Sequence, residues 1–177
     1  VDVLSNKLVT DNPVNRCYYC KQGVFGTILE AAKNDGMTVI LDGTNASDDA
    51  GDRLGMKALQ EMKVLSPLRM CGYVKSEIRK QSKEAGLFVY NKPSYACLAT
   101  RIPTGTEIDE EKIKQVETAE TFLFDLGFSD FRVRWMDNKA KIQMPESQLQ
   151  ALMEKREIVL EELSKIFDEV LLDLRTR

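Results

Sequence analysis

There is no histidine anywhere in the 177 residues. That absence removes imidazole acid–base catalysis, histidine-built zinc hydrolase sites and Ser-His-Asp triads from the chemistry open to this chain. No apolar run approaches the length of a membrane span. There is no internal repeat and no low-complexity tract. Cation excess is missing too: 25 Lys and Arg face 28 Asp and Glu, for a net charge of −3. Broad nucleic-acid binding is therefore disfavoured, although a local basic site stays open. Four cysteines are too few for a disulfide scaffold. No export signal opens the chain, so a reducing cytoplasm is the expected compartment. There, cysteines lean towards metal or redox chemistry.

What is present suits a soluble globular protein. Hydrophobic residues make up 43% and charged residues 30%. The length allows one medium domain, or one domain with a small partner. The chain opens mid-pattern at Val1-Asp2-Val3-Leu4, without a methionine. We expect it to be part of a longer protein.

The cysteine placement carries the most information. Cys17 and Cys20 form a Cys-x-x-Cys, and Cys97 lies far downstream. Two thiolates this close can share a metal, and a third from a distant loop can complete the site. Two unrelated packed thiols are the plainer alternative. Cys97 lies in a loop pinned by Pro93 and Pro103, beside Arg101. A nearby cation favours a reactive thiolate, against the simpler reading of a packed loop residue. Cys71 has no local ligand partner and reads as a structural thiol.

Residues 1–13 read as polar loop. Apolar spacing predicts a helix over about 18–34, stopped by Asp35-Gly36. Met37–Leu41 is a short apolar run with β-branched members, expected as a buried parallel strand. Asp42-Gly43-Thr44-Asn45 breaks it, with Asp48 and Asp49 following. A glycine at a strand end lets a backbone approach a ligand, and the acidic pair suits magnesium. An ordinary capped turn is the alternative. A helix follows near 53–61, a short strand at 64–68 and a helix at 75–86. This alternation predicts a parallel sheet with helices on its faces.

The texture changes near Thr104-Gly105. Residues 109–126 form an amphipathic helix, then 131–135 and 139–144 alternate with period two about Asp137-Asn138, a hairpin. A long helix from Pro145 to about 167 and a strand at 169–174 complete a small α+β unit. Arg132 and Arg134 share a strand face, which suits a phosphate or carboxylate or, equally, solvent. The expected fold class is therefore α/β: a partial parallel-sheet domain over 1–104, then a small α+β substrate or oligomerisation domain over 105–177.

Taken in order, several short words resemble the LarE family. They are Asn15-Arg16-Cys17-Tyr18-Tyr19-Cys20-Lys21, Leu41-Asp42-Gly43-Thr44-Asn45, Lys75-Ser76-Glu77-Ile78-Arg79, Asn91-Lys92-Pro93, Ala96-Cys97-Leu98-Ala99-Thr100-Arg101-Ile102-Pro103-Thr104-Gly105 and Phe131-Arg132-Val133-Arg134. Each is weak alone; the ordered set is specific and covers about residues 12–145. Members are ATP-dependent sulfur transferases of the PP-loop superfamily, with a Rossmann-like (HUP) sheet. The resemblance implies thiolation of a pyridinium dicarboxylate mononucleotide for the nickel-pincer cofactor of lactate racemase. ATP, with Mg2+, adenylylates a carboxylate, and a sulfur nucleophile displaces AMP. One branch sacrifices a single cysteine; the other holds a [4Fe-4S] cluster on three.

This chain, with its Cys-x-x-Cys as well as Cys97, resembles the cluster branch. The implied cluster ligands are Cys17, Cys20 and Cys97, with Cys97 and Arg101 catalytic. Asp42, Gly43, Thr44, Asn45, Asp48 and Asp49 would meet the nucleotide, and Arg53, Glu120, Arg132 and Arg134 the substrate. The three sulfurs are expected to converge in the folded, preferably oligomeric, protein, a homo-oligomer is the expected assembly, and the 42–45 turn and Arg101 are expected to face one cleft.

The departures are specific. The superfamily's Ser-Gly-Gly-x-Asp-Ser loop is absent, no Gly-Gly occurs, and Arg53-Leu54-Gly55 stands where Arg-Pro-Gly is commoner. A chain truly starting at Val1 should bind ATP poorly. A glycine- and arginine-rich end also looks cut short after Leu174. The competing readings are a PP-loop tRNA-thiolating or amidotransferase-type ligase, and an inactive fragment.

Overall fold

The computed structural model describes residues 1–48 and 53–176, with Arg53 described by its backbone alone. Asp49 and the Arg53 side chain, both expected at a ligand, lie outside the described residues. The chain divides into two compact units, Val1–Lys92 and Pro93–Arg177.

The first unit is mostly helical: α1 (Lys7–Thr10), α2 (Arg16–Asn34), α3 (Arg53–Glu61), α4 (Pro67–Met70) and α5 (Lys75–Glu84). Residues 1–13 are not all loop, because Asn6 caps α1 by accepting the Leu8 N–H at 3.0 Å. Helices α2 and α3 pack together, beside a small core of Val9, Ala58, Leu59 and Val64. The two expected strands shrink to a single parallel bridge between Leu41 and Leu65. Asp42 N–H donates to the Leu65 carbonyl (2.9 Å) and Leu65 N–H to that of Ile40 (3.0 Å). Met37, Val39 and Leu41 are 64, 57 and 59% exposed, so this run is not the buried strand its composition suggested. Pro67 ends the other run, because proline is pre-set for the first position of a helix, where no N–H is needed.

The second unit carries a 3-10 turn (Leu98–Arg101), α6 (Glu110–Asp125), β1 (Arg132–Met136), β2 (Lys139–Gln143), a 3-10 turn (Glu146–Gln148), α7 (Leu149–Glu154), α8 (Arg156–Leu163) and β3 (Glu169–Leu172). The sheet order is β1-β2-β3, with β1 antiparallel and β3 parallel to β2. Asp137 and Asn138 both have positive φ (50° and 58°), the mark of a type I′ hairpin turn. Helix α6 ends in a Schellman motif, where Gly127 at φ 92° lets the Phe128 N–H reach the Leu123 carbonyl at 3.1 Å. Leu123, Phe131, Val133, Ile142, Met144, Leu152, Val159, Leu163 and Phe167 form the core. The single long helix expected after Pro145 is broken at Lys155, whose ammonium donates to the Leu126 carbonyl at 2.7 Å.

Residues 97–103, read from sequence as the end of the first domain, belong to this second unit, tied to α6 by an ion pair. The whole is a set of helices with a small mixed sheet, compatible with an α/β class. Among the described residues no helix is long and apolar enough to cross a membrane.

Asp109 caps α6 by accepting the Lys112 N–H at 2.8 Å, and its carboxylate also takes the Lys112 ammonium. Burial pushes this carboxyl up, but the two Lys112 contacts outweigh it and hold the group below the usual aspartate range. Its stabilising contribution is full above the unfolded aspartate pKa, near 4. It is lost as pH falls through the lower folded value. Asp109→Ala should therefore cost about 1 kcal/mol at neutral pH. The difference from wild type should vanish in acid, as urea titrations at both pH values would read.

Candidate functional site

In the first unit the strand-end turn is closed on itself. Asp42 accepts from the Thr44 N–H (3.1 Å) and hydroxyl (2.7 Å). Asp48 accepts from the Asn45 N–H (2.8 Å) and carboxamide (2.7 Å). Arg69 donates to the carbonyls of Asn45 (3.3 Å) and Asp48 (2.9 Å). Burial raises the Asp42 pKa, but hydrogen bonds from Ser66 and Thr44 and the Lys21 charge more than reverse this, so the net shift is downward. Asp42 is thus kept ionised while two of its acceptor sites hold the turn. Gly43 nevertheless faces open space, since a side chain there would meet no atom within 4 Å.

Cys17 and Cys20 lie in the first turns of α2, three residues apart and so on one face. Both are half-buried free thiols, and the Arg16 guanidinium lies 3.9 Å from the Cys17 sulfur. Lys21, one position on, is the residue whose charge reaches Asp42. Thiolates are the usual ligands of iron–sulfur groups, and this pair supplies two of them. Cys97, an exposed free thiol, belongs to the second unit. Within each unit, among the described residues, no three His, Cys, Asp or Glu side chains gather to hold a metal ion.

The second unit assembles more of the expected residues. Arg101 is 1% and Glu120 0% exposed. The guanidinium meets the carboxylate twice, Nε to Oε1 at 2.7 Å and Nη2 to Oε2 at 3.1 Å. Oε1 also accepts the Val133 N–H at 2.9 Å, and Oε2 the Tyr95 hydroxyl. Those four donors occupy the roughly four lone-pair positions of a carboxylate. Glu120, expected at substrate, has no acceptor site left for one. Arg101 also reaches the Thr100 hydroxyl (3.0 Å), which donates to the Cys97 carbonyl (2.7 Å).

Arg132 and Arg134 share the polar face of the sheet, as expected. Arg134 donates to the Thr100 carbonyl (2.9 Å) and to Gln143 (2.5 Å). Gln143 donates to Asp173 (2.7 Å), which also pairs with Lys141 (2.9 Å). Those bonds hold the Asp173 carboxyl far below the usual range, with the Lys141 contact the largest cause. A polar chain thus runs from the Cys97 loop across the sheet to β3. Sequence reasoning missed Tyr95, Thr100, Gln143, Lys141 and Asp173. It could have found the buried pair, because Glu120 sits on the apolar stripe of Val116, Ala119 and Leu123, where a charge demands a partner.

No protein-family profile matches the chain. It is 37% identical over 164 residues to an uncharacterized protein of Synechocystis sp., covering 93% of this chain and 60% of the relative. It is 31% identical over 175 residues to the pyridinium-3,5-bisthiocarboxylic acid mononucleotide synthase of Lactiplantibacillus plantarum, covering 98% of this chain and 63% of the relative. An uncharacterized protein of Methanocaldococcus jannaschii is 31% identical over 154 residues, covering 87% and 60%. The chain therefore spans about three-fifths of the length of these relatives, while they match nearly all of it.

Proposed function

We propose that this chain is part of a LarE-type, ATP-dependent sulfur transferase, acting on a pyridinium carboxylate mononucleotide for nickel-pincer cofactor synthesis. The observation that carries the reading is its similarity, over 98% of its length, to a pyridinium-3,5-bisthiocarboxylic acid mononucleotide synthase. The first unit would be part of a Rossmann-like PP-loop domain, with the Asp42–Asn45 turn and Asp48 towards ATP and Mg2+.

The chemistry is a carboxyl activation followed by displacement. A substrate carboxylate oxygen attacks the α-phosphorus of ATP and pyrophosphate leaves. A sulfur nucleophile then attacks the acyl carbon and the carbon–oxygen bond to AMP breaks. Arg132 and Arg134 supply positive charge on one sheet face, suited to a phosphate. Cys17, Cys20 and Cys97 would hold a [4Fe-4S] cluster, which when bound supplies sulfide at its one iron without a thiolate. Arg101 sets the Cys97 loop through Thr100.

The test is an AMP-release and product-mass assay on the protein that carries this chain. With ATP and the pyridinium dicarboxylate mononucleotide, AMP and a product in which sulfur replaces oxygen are expected. AMP release with tRNA and none with the mononucleotide would give the tRNA-thiolating reading instead.

A further inference from the structure

The loop that presents Cys97 is anchored on both sides by one carboxylate. Tyr95, two residues before the cysteine, donates its hydroxyl to Glu120 Oε2. Arg101, four residues after it, binds both Glu120 oxygens. Between these anchors the backbone is tied again, by Thr100 to the Cys97 carbonyl and by Arg134 to the Thr100 carbonyl. The Arg101 guanidinium lies over the Tyr95 ring at 5.3 Å, and that ring packs on Phe124 at 5.7 Å. The Cys97 thiol, between the two anchors, is exposed.

We infer that Glu120 and Tyr95 are positioning residues for Cys97, fixing the stretch of backbone from which its sulfur is presented. The inference rests on the sulfur-transfer reading for what Cys97 does, but not for how it is held. A loose loop would spread the sulfur over many positions, whereas a thiolate that serves as a cluster ligand must meet its iron at one. Tyr95 suits this role because its hydroxyl donates directly to the carboxylate that Arg101 also holds. Glu120 suits it because its buried charge cannot be satisfied by water and so stays with its donors.

The deciding variant is Tyr95→Phe. It removes one hydroxyl from a half-exposed ring and keeps the Arg101–Glu120 pair. Amide exchange in residues 95–102 should quicken about tenfold, with α6 and the sheet unchanged. Unchanged exchange in 95–102, or equal quickening across the whole unit, would overturn the inference. In the sulfur-transfer assay, Tyr95→Phe, which keeps the buried ion pair, should lower kcat and leave the KM for the mononucleotide alone. A raised KM at constant kcat would mean that Tyr95 contacts substrate, against the inference. If wild-type protein thiolates nothing, the sulfur-transfer reading fails, and the exchange result still decides how Cys97 is held.

Discussion

Arg101→Ala is expected to destabilise residues 93–177 by about 3–5 kcal/mol, because it strands the Glu120 charge in the core. Tyr95 and the Val133 N–H would remain as donors, but neither carries a balancing charge. Arg101→Lys should recover little, since an ammonium cannot reproduce the paired Nε and Nη2 contacts. The apolar double variant Arg101→Met with Glu120→Leu should be far milder than Arg101→Ala, as removing both charges leaves neither unpaired. Urea unfolding of these variants beside wild type reads this directly. A mild effect of Arg101→Ala, equal to that of the double variant, would mean that the pair is not sealed from water.

On the proposed sulfur-transfer and cluster reading, Cys97→Ala is expected to abolish thiolation and to cut iron uptake sharply. After anaerobic reconstitution, wild-type protein should bind about four irons per site with matching sulfide, and the variant markedly fewer. Cys71→Ala is the control and should bind like wild type, because Cys71 caps α4 and has no place in the three-thiol set. Equal uptake by wild type and Cys97→Ala, with thiolation still lost, would assign Cys97 as a single sacrificial donor. Equal uptake with thiolation intact would return it to an ordinary loop thiol.

Local pattern sufficed wherever local physics decides the structure. The type I′ turn at Asp137-Asn138, the period-two strands around it and the α6 stripe ended by Gly127 were all readable. The failures are non-local. Met37–Leu41 has the composition of a buried strand, but burial needs a neighbour, and among the described residues only Leu65 bridges it. The expected helix after Pro145 breaks at Lys155, where a tertiary bond to the Leu126 carbonyl intervenes, which no periodicity records. Among the candidate site residues, Cys97, Arg101, Arg134 and Glu120 were all singled out from the sequence, but the bonds that join Arg101 and Glu120 were not. The partners of Glu120 come from positions 95, 101 and 133, and only folding brings them to one carboxylate.

The sheet order also sets a timetable for synthesis. The hairpin of β1 and β2 can close as soon as Gln143 has left the ribosome, because its turn is two residues long. Strand β3 is different: it lies parallel to β2, and a parallel neighbour must return through a long crossover, here α7 and α8. Until Glu169–Leu172 is made, one edge of β2 has open backbone groups. Leu163 and Phe167, which join Ile142 in the core, arrive only just before it. A nascent chain stalled short of residue 169 therefore exposes both a strand edge and an unfinished core, the combination that chaperones and proteases engage.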